Sequence, residues 1–105
     1  MRKNNSVIRT GGSVLAECLA SLKAKHVFIV PGESFLGALD AFSKKKKDIK
    51  IINARHEAGA SNMAEAYGKL TGKPGIAYVT RGPGACHASV GVHIACQDST
   101  PMILL

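Results

Sequence analysis

The sequence contains no tryptophan, and its aromatic fraction is only 5%. Binding of single-stranded nucleic acid typically relies on aromatic side chains interleaved with basic ones, so their scarcity argues against a nucleic-acid partner. Cysteine is also rare, because only Cys18, Cys86 and Cys96 are present and no two of them form a Cys-x-x-Cys pair. This pattern argues against a zinc centre, a redox dithiol and a disulfide framework. We expect Cys18 and Cys96 to be small core residues on apolar helix faces.

Long apolar runs are absent too, and the first ten residues lack the apolar segment of a secretory signal. These absences predict a cytoplasmic protein without a membrane partner. Acidic residues are few, since 7 Asp and Glu face 14 Lys and Arg, which gives a net charge of +7. Part of the excess is local: residues 44–47 form a lysine run at a predicted helix end, and Arg2 and Lys3 lie in the polar tail. We therefore predict a flexible tail over residues 1–10 and one domain over residues 11–105.

Strand and helix patterns alternate along that domain. A first helix begins at Gly12-Ser13 with Ser13 as its N-cap, and a second is capped by Ser34. The third helix covers residues 58–70 and stops at Gly72, and the fourth covers 85–96. Strands are predicted near residues 27–30, 49–53, 75–80 and 102–105. This order predicts an α/β fold: a parallel, Rossmann-like sheet in a three-layer α/β/α arrangement, truncated at its C-terminus because the chain ends within an apolar strand.

Apolar residues at helical spacing predict which helix faces are buried. The first-helix stripe is Val14, Leu15, Cys18, Leu19 and Leu22; the second is Phe35, Leu36, Leu39 and Phe42; the third is Ala60, Met63, Ala64, Tyr67 and Leu70. Glu65 and Lys69 are four residues apart on the third helix and are predicted to form a surface ion pair.

Three strand-to-helix junctions are predicted to meet at one sheet edge, because parallel strands share a direction. They are Pro31-Gly32-Glu33, Arg55-His56-Glu57 and Thr80-Arg81-Gly82-Pro83-Gly84. Ligands bind at this edge in open parallel sheets. Glu57 begins a helix, so on local pattern alone it could simply complement the helix dipole.

Several local motifs depart from the patterns expected for dinucleotide binding, metal binding or thiol catalysis. Gly82-Pro83-Gly84 resembles the start of a dinucleotide-binding loop, but His87 replaces the third glycine and Pro83 removes an amide. His87 and His93 are poorly spaced as ligands, and His26 and His56 are isolated in the sequence, so we predict no metal site on this chain. Cys86 and His87 are adjacent on a helix and therefore cannot form a hydrogen-bonded catalytic pair.

The chain resembles the N-terminal pyrimidine-binding domain of thiamine diphosphate-dependent enzymes, in particular acetolactate synthase-like members. The resemblance covers residues 11–105 in unbroken order, and its most specific segment runs from Arg55-His56-Glu57-Ala58-Gly59 to Gly72-Lys73-Pro74-Gly75. Val27-Phe28-Ile29-Val30-Pro31-Gly32, Thr80-Arg81-Gly82-Pro83-Gly84-Ala85 and Asp98-Ser99-Thr100-Pro101 complete it.

The resemblance implies a catalytic role for Glu57, which would bond N1′ of the cofactor's aminopyrimidine and so promote the ylide that attacks 2-oxo acids. It also implies that Glu57 lies in a dry site where its pKa rises. The residues implied in cofactor binding are Pro31, Gly32, Glu57, Thr80, Gly82, Pro83, Gly84 and His87, although many relatives carry Asn where His87 stands.

The resemblance further implies decarboxylation of 2-oxo acids or carbon–carbon bond formation by a transferase or lyase. Mg²⁺ and the diphosphate would be held by a separate domain from a partner subunit in a homo-oligomer, and FAD is possible in the full-length enzyme. An isolated chain would therefore be inactive. Two alternatives stay open on the residues alone: a non-catalytic nucleotide-binding domain of Rossmann type, and a dimerisation domain.

Overall fold

A computed structural model describes residues 8–105. The predicted N-terminal tail lies mostly outside the described residues, as do its Arg2 and Lys3. The helices are α1 (Gly11–Ser21), α2 (Leu36–Ser43), α3 (Glu57–Thr71) and α4 (Pro83–Asp98), and a short 3-10 turn (Glu33–Phe35) leads into α2. The strands are β1 (His26–Ile29), β2 (Lys50–Asn53), β3 (Gly75–Tyr78) and β4 (Met102–Leu104). In the described range no helix combines the length and the apolar character needed to cross a membrane.

The four strands form one parallel sheet in the order β2-β1-β3-β4. Ile29 is in register with Asn53 on one side and with Tyr78 on the other, so β1, β2 and β3 end at the same level. The predicted parallel sheet is thus confirmed. Strand β1 ends one residue earlier than predicted, ahead of Pro31, and β3 ends two residues earlier than predicted, ahead of the Gly82-Pro83-Gly84 turn.

Both faces of the sheet are covered, as the predicted three-layer arrangement requires. Val27 and Ile29 pack with α1 and α2 on one face, whereas Phe28 packs with α3 on the other. This division follows from the alternation of side chains along β1. Helix α4 lies mainly against α3 and contacts the sheet at β4.

The predicted helix stripes are partly wrong. Leu22, Leu36 and Leu70 are 75%, 61% and 86% exposed, and Cys18 and Cys96 are exposed rather than buried. Helices α1 and α2 approach each other too closely for large side chains, since a Cβ on Gly12 would lie 2.5 Å from the Gly37 carbonyl oxygen. Small residues therefore share the buried positions of α1 and α2 with Leu19 and Phe42; they are Ala16, Ala38 and Ala41. The buried residues of α4 are small as well, namely Gly84, Ala88, Gly91 and Ala95.

Two predicted helix caps are also wrong, while one helix end is confirmed. Thr10 is the N-cap of α1, because its hydroxyl oxygen accepts a hydrogen bond from the Ser13 N–H at 3.1 Å. Ser34 lies inside the 3-10 turn and caps nothing, so α2 begins without a side-chain cap. Gly72 ends α3 in the left-handed conformation, as predicted.

Glu65 departs from the predicted surface ion pair because its carboxylate is only 10% exposed. It contacts Lys69 at 2.9 Å and also accepts a hydrogen bond from the Thr100 hydroxyl at 3.0 Å. Lys69 in turn pairs with Asp98 at the end of α4. This network connects α3 to the turn before β4. The spacing along α3 did not predict it, because Asp98 and Thr100 lie outside that helix.

Candidate active site at the carboxyl edge of the sheet

The turns after β1 and β3 meet at Thr80. A Cβ on Gly32 would lie 1.8 Å from Cγ2 of Thr80, and a Cβ on Gly84 would lie 2.7 Å from Oγ1 of the same residue. The Gly84 Cβ would also be 3.5 Å from Oε1 of Glu57, at the start of α3. The structure therefore brings together four of the predicted site residues, one or more from each junction.

The turn before α4 has the conformation that its sequence favours. Gly82 has a φ of 70°, in the region that glycine adopts without steric cost. Pro83 follows as the first residue of α4, where a missing N–H carries no penalty. This arrangement starts α4 beside the sheet edge and places His87 one turn into the helix.

Glu57 is the first residue of α3, and its carboxylate is 15% exposed. Its Oε2 lies 3.2 Å from Nδ1 of His87, which reaches across from α4. His56 precedes Glu57 as the N-cap, and its Nδ1 accepts a hydrogen bond from the Ala58 N–H at 3.1 Å. The imidazole rings of His56 and His87 stack with their centroids 4.8 Å apart.

His56 is thus not isolated, which corrects the interpretation of the sequence. One ligand atom from each of His56, Glu57 and His87 lies within 4.8 Å of the others. Spacing along the chain missed this group because its members belong to two helices, and the sequence does not show how closely the first turns of those helices approach.

The pKa of Glu57 is lowered from its ordinary value. The largest cause is a hydrogen bond with the backbone of Glu57 itself, and His87 and His56 lower the pKa further, whereas burial opposes them. The implied rise in this pKa is therefore wrong for the chain by itself. A helix N-terminus and two neighbouring imidazoles favour the charged carboxylate over the neutral acid.

An open groove of about 540 Å³ lies beside this group, between the turns that follow β1 and β3. It is lined by Thr80, Gly82 and Pro83, which the sequence predicted, and by Glu33, Ser34 and Arg81. The last three were missed as lining residues, although each adjoins a predicted turn residue in the sequence. Pro31 lies apart from them, in a separate groove beside α2.

The site offers acid–base chemistry. The Glu57 carboxylate can accept a hydrogen bond or hold a proton, and His87 can donate to it or take a proton from it. Pro83 removes one amide from the adjoining turn, which makes that turn a poor cradle for phosphate.

Comparison with known proteins gives a consistent answer over almost the whole chain. Residues 9–105 match the family described as "Thiamine pyrophosphate enzyme, N-terminal TPP binding domain". Acetolactate synthase of Bacillus subtilis (strain 168) is 37% identical over 105 residues, which are 99% of this chain and 18% of that protein.

Two further relatives agree. The acetolactate synthase large subunit of Cyanidium caldarium is 38% identical over 105 residues, covering 98% of this chain and 18% of the relative. The mitochondrial acetolactate synthase catalytic subunit of Aspergillus candidus is 38% identical over 96 residues, covering 91% of this chain and 14% of the relative. The chain thus spans less than a fifth of the length of these relatives, and it belongs to the thiamine pyrophosphate enzyme family as an N-terminal TPP-binding domain.

Proposed function

We propose that this chain supplies the pyrimidine-binding half of a thiamine diphosphate site in an acetolactate synthase-like enzyme. The observation that carries the proposal is the position of Glu57, whose carboxylate lies at the ligand-binding edge of the sheet between His87 and Gly84. A structural or dimerisation domain has no need of a carboxylate there.

The residues around Glu57 fit an aminopyrimidine. Oε2 of Glu57 is already engaged by His87, whereas Oε1 faces Gly84, where no side chain stands between it and Thr80. A ring nitrogen that approaches Oε1 would share a proton with the carboxyl group. Displacement of water by the ring would raise the pKa of Glu57 from its lowered value in the free chain, because desolvation disfavours the charged form.

The neighbouring residues have supporting roles in this proposal. His87 orients the Glu57 carboxylate, and Gly82, where an added Cβ would have no heavy atom within 4 Å, lets the backbone approach the ring closely. Gly84 leaves room for Oγ1 of Thr80 and Oε1 of Glu57 beside the ring. Gly32 and Pro83 flank the same edge. Pro31 stays a predicted contact, since it lines the groove beside α2.

The cofactor, when bound, supplies the carbanion chemistry for decarboxylation of 2-oxo acids and for carbon–carbon bond formation. This chain has no Gly-Asp-Gly segment of the kind implied for the diphosphate and Mg²⁺. We therefore propose that another domain holds these groups across a subunit interface of a homo-oligomer. A cytoplasmic location and a bound FAD remain predictions; one of the relatives above is mitochondrial.

The half-site is tested by adding thiamine and thiamine diphosphate separately to the isotope-labelled chain and following its backbone amide resonances. High ionic strength is needed, because a chain of charge +7 attracts phosphate non-specifically. We expect both ligands to bind with similar millimolar affinity and to shift residues 56–58 and 80–87. Glu57→Gln should weaken both, whereas Glu17→Gln, on α1, should weaken neither.

Three results would contradict the proposal. Micromolar affinity for thiamine diphosphate alone would mean that this chain holds the diphosphate as well. Equal shifts with a nucleotide would favour the Rossmann-type alternative. Shifts confined to other parts of the chain would remove Glu57 from the site.

A further inference from the structure

His56, Glu57 and His87 form a compact group of metal-ligating side chains whose members come from two helices. The spacing of histidines along the chain argued against a metal, but it did not include the carboxylate that completes the group. We propose that these three residues bind a divalent transition-metal ion of the Zn²⁺ type, independently of any cofactor.

The distances are close to those that such an ion requires. Bonds of 2.0–2.1 Å in tetrahedral geometry place neighbouring ligand atoms about 3.4 Å apart. Nδ1 of His87 and Oε2 of Glu57 are 3.2 Å apart, which already matches this spacing. The widest separation in the group is 4.8 Å, so its third member must move inward by about 1.4 Å, the difference from the tetrahedral spacing.

That movement is available to the imidazoles. The His87 side chain is 53% exposed and His56 is also exposed, so both rings can rotate without disturbing the core. The rings now stack with an interplanar angle of 26°, and one must turn so that both lone pairs point to a common ion. If Nδ1 of His56 is the ligand, its hydrogen bond from Ala58 N–H is lost.

The chemistry of the three groups selects the kind of ion. Two imidazoles and one carboxylate form a ligand set that proteins use for zinc, with one coordination position left open. Mg²⁺ and Ca²⁺ prefer oxygen ligands, so they should bind this group weakly. The nearest soft competitor in the sequence is Cys86, whose thiol is exposed.

One consequence rests on the proposed function. An ion bound to the Glu57 carboxylate would occupy the oxygens that a ring nitrogen needs, so Zn²⁺ and thiamine would compete. If Zn²⁺ binds but does not compete with thiamine, the result counts against the assigned role of Glu57 and not against the metal site.

Titration of the isolated chain with Co²⁺, without thiamine, tests the site through the visible absorption of tetrahedral cobalt. We expect saturation at one equivalent and displacement by Zn²⁺ but not by Mg²⁺. His87→Asn should weaken binding by about 100-fold, because losing even an outer partner of a ligand costs 10–100-fold. His93→Asn on the same helix and Cys86→Ser should bind as the parent chain does.

Circular dichroism establishes that each variant is folded, and the exposure of His87 and His93 makes both substitutions compatible with folding. Glu57→Gln, which removes the carboxylate ligand, should also weaken cobalt binding, and if this variant unfolds, His87→Asn decides the outcome. Absence of saturable absorption in the parent chain overturns the proposal. So does equal binding by His87→Asn, or loss of the signal in Cys86→Ser, which would assign the ion to the thiol.

Discussion

Because Gly32 lies so close to Thr80, a single methyl group added at position 32 should clash with the Thr80 side chain. Gly32 has extended backbone angles, φ −151° and ψ 155°, so alanine is allowed there on conformational grounds. Its Cβ would nevertheless lie 1.8 Å from Cγ2 of Thr80, where nonbonded carbons prefer about 3.5–4.0 Å. Gly32→Ala should therefore destabilise the fold through this contact alone.

The expected magnitude follows from two opposing contributions. Overpacking by a methyl group costs about 1–3 kcal/mol. Gly→Ala also lowers the conformational entropy of the unfolded chain, which stabilises the folded state by about 0.4–1 kcal/mol. The net loss in the free energy of unfolding should be about 1–2 kcal/mol. Thr80→Ser removes Cγ2 from a half-buried position and should by itself cost less than about 0.8 kcal/mol.

Urea denaturation of the single and double variants measures the coupling. The double variant should recover most of the loss caused by Gly32→Ala, with a coupling energy of about 1 kcal/mol or more. Gly37→Ala is the matched control: it lies in α2 with no heavy atom within 4 Å of the added Cβ, and it should stabilise by about 0.5–1 kcal/mol. If the costs of Gly32→Ala and Thr80→Ser were additive in the double variant, the turns after β1 and β3 would not meet at Thr80.

Two further substitutions test the packing of the sheet. Gly75→Ala would place a Cβ 1.7 Å from the backbone oxygen of Ala64, so it should cost about 3 kcal/mol or more in urea denaturation; a cost below about 1 kcal/mol would contradict the close contact of α3 with β3. Tyr78 stacks on Phe35 at 4.1 Å, and burial raises its pKa above 10.0. The folded chain therefore keeps this proton to higher pH than the unfolded chain, so stability should fall as the pH rises through about 10. Tyr78→Phe should reduce that fall relative to the parent chain and to Tyr67→Phe, and identical pH dependence in all three would contradict the burial of Tyr78.

The sheet could be predicted because its signals are local. The apolar segments around Val27 and Ile51, separated by helical patterns, are sufficient to indicate parallel strands. Gly72 marked the end of α3 for an equally local reason, since glycine adopts the left-handed conformation easily. The convergence of the three junctions then followed from the shared direction of the strands.

The buried faces of the helices were harder to predict because the positions that decide them carry little side chain. Gly12 and Ala16 do not stand out in a pattern of large apolar residues. The close approach of α1 to α2 nevertheless buries Ala16 and leaves Leu22 exposed. A pattern that counts only large apolar residues therefore assigns the wrong face.

The contact of His56 and His87 with Glu57 depends on the relative position of α3 and α4. His87 is 30 residues from Glu57 in the chain, and no spacing rule connects the two. The lowered pKa of Glu57 has a largely local cause, the hydrogen bond with its own backbone at the start of α3, and His87 lowers the pKa further from α4. The sequence could predict that Glu57 lies at the carboxyl edge of the sheet, but not which side chains surround its carboxylate.

The exchange of the cofactor's C2 proton for deuterium tests the role of Glu57 most directly. The measurement requires a complete subunit in which residues 1–105 are joined to a diphosphate-binding domain, so that the bound cofactor can be compared between the parent and Glu57→Gln. Glutamine keeps the size of the side chain and removes its titratable proton. Cofactor binding should survive in Glu57→Gln, and exchange should slow by roughly 10²-fold or more, the scale of acid–base catalysis. An unchanged exchange rate in Glu57→Gln, with the cofactor still bound, would contradict the assigned role of Glu57.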